Sequence, residues 1–154
     1  MRKQKGFSLI ELLIVVAIIL IIAAIAIPNL LKARIAANQA SAVGSLRTIM
    51  TSEVSYQSSY GGYSPTLVAL GGALPCTSSA ATGCLIDPVL GGGQKSGYAF
   101  TYVAGAGAPV ASFTANGDAI TQGTTGDMHY FTDNSGVIRF NAAAAATAAD
   151  PALQ

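Results

Sequence analysis

Tryptophan is absent from the 154 residues, histidine occurs once, cysteine twice, and charged residues make up only 10%. Each shortage removes a class of chemistry. A structural zinc site takes about four ligands, which Cys76, Cys84 and the remote His129 do not supply. His129 has no G-x-S-x-G element with it and reads as a strand residue rather than a catalytic base. No C-x-x-C-H motif accompanies the eleven aromatic residues, so attached haem has no support. Gly91-Gly92-Gly93-Gln94-Lys95-Ser96 ends like a phosphate-binding loop but lacks the G-x-x-x-x-G-K-[ST] spacing, and reads as a flexible loop. Asp133-Asn134-Ser135-Gly136 suits a hairpin turn better than a calcium loop. The expectation is therefore a protein that is not an enzyme, with no catalytic residue, no metal site and no cofactor.

Positive charge is short as well. Of the eight Lys and Arg residues, Arg2, Lys3 and Lys5 lie in the first five positions; without residues 1–6, five basic residues face seven acidic ones, a net charge of −2. No basic cluster remains in the body of the chain, so no specific nucleic-acid site is expected.

What the chain has in abundance is apolar residues, 51% of the total. From Phe7 to Ile27 only Ser8 and Glu11 are polar, and the 16 residues Leu12–Ile27 contain no polar side chain. Twenty-one residues at about 1.5 Å each span roughly 31 Å, the thickness of a bilayer's hydrocarbon core. The basic residues before this run favour a cytoplasmic N-terminus, although Lys32 and Arg34 beyond it weaken the asymmetry. A cleavable secretory signal ending at Ala24-Ile25-Ala26 is the rival reading. Against it stand a carboxylate inside the run, a run longer than about 7–15 residues, and Pro28 just past the cut.

Beyond Pro28 the pattern becomes amphipathic. Ile35, Ala42, Val43, Leu46, Ile49, Met50 and Val54 recur at three- and four-residue steps, with Asn38, Ser41, Arg47, Thr48 and Ser52 between them. The pattern predicts one helix from near Phe7 to about Ser58, ended by Gly61-Gly62. Residues 60–97, with short apolar pieces at Leu67–Leu70 and Leu85–Leu90, read as a long connecting loop. Four strand-like runs follow at Tyr98–Ala104, Val110–Ala115, Met128–Thr132 and Val137–Phe140, forming a small antiparallel sheet on the second half of the helix. The fold class is α+β. Pro75 and Gly83 mark Cys76–Cys84 as a loop, and in an exported chain the context favours a disulfide over two unpaired thiols. A ring enclosing seven residues would rigidify that loop.

Lys5-Gly6-Phe7-Ser8-Leu9-Ile10-Glu11-Leu12-Leu13-Ile14-Val15-Val16-Ala17-Ile18, continued through Ala23–Pro28, resembles the processing signature of type IV prepilins and type II secretion pseudopilins. Ser8 stands where many members have threonine. The resemblance implies a pilin-like fold, a leader at 1–6, a transmembrane and assembly helix at 7–28, a globular domain at 29–141 with the second half of the helix, and a flexible Ala-rich tail at 142–154. It also implies cleavage between Gly6 and Phe7 by a prepilin peptidase, then N-methylation of Phe7. The precursor would be a single-pass inner-membrane protein handled by an assembly platform. The mature chain would form a homopolymer with other pilins, as an extracellular pilus or a periplasmic pseudopilus.

Within that resemblance Phe7, Glu11 and Pro28 are the assembly residues. A carboxylate in an apolar helix is expensive and by default functional; in the family it meets the N-terminal amine of a neighbouring subunit, and interfacial snorkelling is its alternative. Pro28 lacks an N–H and either loosens the helix or marks where it leaves the membrane. Three functions stay open: a pilus subunit, a type II secretion pseudopilin, and a monomeric membrane-anchored periplasmic binding module. Major pseudopilins typically carry an acidic calcium loop and an aromatic-containing Asp-Pro motif, which Asp87-Pro88 and Asp150-Pro151 do not match. The cysteines precede the strands, unlike the disulfide with which pilins commonly close their C-terminal strands.

Overall fold

The computed structural model describes residues 7–153. Helix α1 covers Leu9–Tyr60 and includes Pro28. The chain divides into two compact units, one reaching to Arg34 and the other beginning at Ile35. In the first, the helix is apolar on all sides from Leu12 to Ile27, and every large apolar side chain from Phe7 to Leu31 is 43–78% exposed. This stretch is long and apolar enough to cross a membrane, a medium in which a helix satisfies its own backbone groups.

In the second unit α1 gains a buried stripe, Ala42, Leu46, Ile49, Glu53 and Tyr56, at alternating steps of four and three residues. Two expectations change here. Val54, placed on the apolar face, is 62% exposed, whereas Ser52, placed between, is buried and donates its hydroxyl to the Leu85 carbonyl at 3.3 Å. The stripe turns under Ser52 and Glu53 and leaves Val54 outside it. The helix ends where the Gly61 N–H returns to the Gln57 carbonyl at 2.8 Å.

The segment expected to be a long loop holds two one-turn helices, α2 Leu67–Leu70 and α3 Pro88–Gly91. Thr66 and Asp87 cap them through their side chains, on Ala69 N and Leu90 N, and Leu67, Leu70, Ile86 and Leu90 enter the core. Five antiparallel strands follow in sequential order: β1 Gln94–Lys95, β2 Tyr98–Ala104, β3 Phe113–Ala119, β4 His129–Asp133 and β5 Arg139–Asn141. The stretch read as a flexible loop, Gly91–Ser96, is instead the end of α3 and strand β1. Ser96 and Gly97 join β1 to β2 with φ of 51° and 75°, the two left-handed residues of a tight hairpin turn, which glycine adopts without strain.

Strand β2 has the predicted bounds. Strand β3 starts three residues and ends four residues later than expected, because the turn-like residues Asn116, Gly117 and Asp118 belong to it. Tertiary contacts override their preference for turns. A side chain at position 117 would meet the Phe100 ring at 3.2 Å, so the close approach of that ring needs glycine. Between β4 and β5 the expected turn forms: the Gly136 and Ser135 N–H groups donate to the Asp133 carbonyl and side chain at 3.1 and 2.8 Å.

The tail does not fray as expected. Ala146 is buried, and its carbonyl accepts from the Asn116 side chain at 2.8 Å. The Asp150 carboxylate receives Thr147 N at 2.7 Å and Asn141 Nδ2 at 2.9 Å, and Arg139 donates to the Asp150 carbonyl. Phe140 N bonds Pro151 O and Leu153 N bonds Ile138 O, so the last described residues run antiparallel beside β5. A short tail is held by specific partners that no helical propensity would reveal.

Candidate functional site

Phe7, the first described residue, is 78% exposed, and Ser8 immediately precedes α1. The Ser8 N–H donates to Glu11 Oε2 at 2.9 Å, and the Ser8 carbonyl accepts from Leu12 N at 3.3 Å. Ser8 therefore stands at the N-cap and Glu11 three residues into the helix, with the carboxylate reaching back as in one half of a capping box. A helix start leaves N–H groups without intrahelical acceptors and carries a partial positive charge, and a carboxylate answers both. This role was missed at the sequence level, although the S-x-x-E spacing before an apolar run is its signal. Phe7 precedes the helix and Glu11 stands in its first turn, four residues on; Pro28 lies further along the same helix. Gly6, the residue before the proposed cut, lies outside the described residues.

The cysteines form a different element. Cys76 and Cys84 are joined by a disulfide. The loop they close is pinned to the end of α1 by Tyr56 Oη, which donates to the Ala80 carbonyl at 2.5 Å, and by Tyr60 Oη, 3.1 Å from Ser78 Oγ. Gly83 N and Cys84 N bond the Ala69 and Gly71 carbonyls at 2.6 and 3.0 Å. Beside it a groove of about 360 Å³ is lined by Tyr56, Tyr60, Tyr63 and Pro109, with no carboxylate, imidazole or thiol.

A second carboxylate, Glu53, is wholly buried on α1. It accepts from Ser64 N at 2.9 Å and Ser64 Oγ at 2.5 Å, and Tyr102 Oη donates to the Ser64 carbonyl at 2.9 Å. Burial first, and then the Glu53 carboxylate, hold the Tyr102 phenol far above its usual range. Glu53 was also missed; its signal is its place on the 4-3-4-3 stripe. His129 opens β4 with Nδ1 2.8 Å from Asp118 Oδ1. Among the described residues no group of three or more His, Cys, Asp or Glu comes together as metal ligands would.

The family profile described as the prokaryotic N-terminal methylation motif matches residues 1–27. The chain is 47% identical over 74 residues to the type IV wide pilus major component PilA4 of Thermus thermophilus, covering 46% of this chain and 56% of that one. It is also 47% identical over 62 residues to the type IV major pilin protein PilA of Myxococcus xanthus, covering 40% and 28% respectively. These matches support a place in the type IV pilin superfamily. Its matches span about half or less of the length of these curated relatives. No solved structure matches it significantly. Helix α1 with its five-stranded antiparallel sheet is a pilin-like α+β architecture.

Proposed function

We propose that the chain is a structural subunit of a type IV pilus filament. One observation carries the reading: a helix that exposes only apolar residues from Leu12 to Ile27, with a single carboxylate one turn inside its start. Such a surface is unstable in water and has two covers, lipid for the precursor and other copies of the same helix for the polymer. In this reading a prepilin peptidase cuts between Gly6 and Phe7, and Phe7 is methylated. The precursor crosses the inner membrane once with its N-terminus in the cytoplasm, and an assembly platform extracts it into the filament. The names of both relatives favour a pilus over a secretion pseudopilus.

Mass spectrometry of the native N-terminus, combined with shearing of cells, tests this. A methylated Phe7 in abundant long surface fibres is the expected result. An N-terminus at Ile27, or a methylated chain confined to the periplasm, would overturn it.

A further inference from the structure

We propose that the open end of β2 is a docking edge for an extended, uncharged segment of another protein, which adds to the sheet as a further strand. Strand β2 pairs with β3 along its whole length, but on its other side β1 covers only Tyr98 and Ala99. In an antiparallel ladder the backbone groups of successive residues point to alternate sides. The Ile120 N–H donates to the Gly97 carbonyl at 3.0 Å and the Gly105 N–H to the Ser112 carbonyl at 2.7 Å, so Ala99, Thr101 and Val103 turn their groups towards β3. Phe100 faces the other way, its N–H on the Gly93 carbonyl at 2.7 Å. Tyr102 and Ala104 follow Phe100 in that alternation, and their N–H and C=O groups have no backbone partner among the described residues. Two donors and two acceptors along one edge suit a partner with an extended backbone, because a helix uses its own.

Edges of this kind are commonly guarded by charge or proline. The stretch Thr101–Ala104 has neither, and Val103 is 57% exposed, whereas the sheet's opposite rim carries its own tail. A charge brought against this edge would lose water without gaining a counter-charge, so an uncharged segment fits it. A second copy fits poorly. Antiparallel pairing of β2 with β2 relates two copies by a two-fold axis normal to the sheet, which sets the α1 stretches packed on the sheets head to tail. Helices anchored in one membrane, as proposed above, run the same way.

Amide exchange of the full chain in lipid nanodiscs, one copy per disc, reads the edge directly. In the free chain the Tyr102 and Ala104 amides should exchange roughly tenfold or more faster than those of Thr101 and Val103, which donate within the sheet. The probe is a cyclic peptide that holds a Thr-Val-Thr-Val-Thr strand extended, since pre-organisation lowers the cost of binding. Millimolar probe should slow the Tyr102 and Ala104 amides roughly tenfold, and a twin peptide N-methylated along its docking rim should not. Ala104→Pro removes one outward donor without touching the β2–β3 ladder, a change that edge strands accept. It should weaken probe binding roughly tenfold while the Thr101 and Val103 amides stay protected; if the variant unfolds, the methylated twin decides alone. Free-chain Tyr102 and Ala104 amides as slow as their neighbours, no slowing by the probe, or equal slowing by the methylated twin overturns the proposal. Slowing without probe once several copies share a disc would give the edge to a second copy and overturn it too. None of these readouts needs a filament, so a chain that formed no fibres would sink the subunit reading and leave the edge still decided by exchange.

Discussion

Glu53 occupies the stripe of α1 that also buries Leu46 and Ile49, and its position is explained by what it holds. Its two oxygens take the Ser64 amide and hydroxyl, and Ser64 in turn takes the Tyr102 hydroxyl, so helix, loop and sheet meet at one carboxylate. Glu53→Ala should cost roughly 2–4 kcal/mol in urea unfolding of the detergent-solubilised chain, because buried donors lose their acceptor. Glu53→Gln, which keeps one acceptor oxygen, should cost less; equal losses would show that the acceptor is not what matters. Tyr98 offers a test by pH. It is fully buried and donates to the Met128 carbonyl at 2.9 Å, and burial, with Tyr130 next to it, pushes its phenol from 10.0 up to about 12. The folded state keeps this proton after the unfolded state has lost it. Its contribution is therefore complete below about 10 and disappears as the pH climbs through about 12. Stability should fall across that window, and Tyr98→Phe should flatten the fall even though it lowers stability at neutral pH.

Among the elements, the tail carries the clearest prediction. Ending the chain after Asn141 removes Ala146, the acceptor of the Asn116 side chain, and Asp150, the acceptor of Asn141 and Arg139. Thermal unfolding by circular dichroism should shift down by roughly 10 °C, and an unchanged midpoint would mean that the tail does not pack. The tail also illustrates what a linear reading misses. Helix α1 and strand β2 were legible because their hydrophobic periods are long and regular, and the β4–β5 turn was legible from Asp133–Gly136. At the N-terminus, motif and spacing single out Phe7, Glu11 and Pro28 as candidates; the Ser8–Glu11 bond was available in S-x-x-E but overshadowed by the cost of a carboxylate in an apolar run. The shifted β3 was not legible, since Asn116, Gly117 and Asp118 prefer turns and are held in the strand by Ala146, Phe100 and His129. Helices α2 and α3 are one turn each, too short for periodicity to register, and depend on caps and core contacts.

For the whole molecule, the decisive experiment is loss of the N-terminal charge from every copy at once. A charge at the centre of a bilayer costs about 2.5–3.5 kcal/mol, so Glu11→Ala should insert at least as well as the wild type and be cleaved normally. In a filament the same change would strand a buried amine on each subunit, a penalty of about 3–5 kcal/mol repeated along the polymer. Electron microscopy of cells carrying only this variant should show few or no fibres; wild-type numbers would favour interfacial snorkelling. The strand running beside β5 has a bearing on how such a polymer stays orderly. Subunits concentrated in a membrane are a hazard to one another, since bare sheet margins recruit identical margins into cross-β stacks. One margin of this sheet is already occupied by its own Pro151–Leu153, whereas at the other the two-residue β1 pairs only with the Tyr98–Ala99 end of β2. If copies polymerise as proposed, pairing through the occupied rim is discouraged, and the exposed apolar stretch of α1 is the larger sticky surface that crowding would bring together.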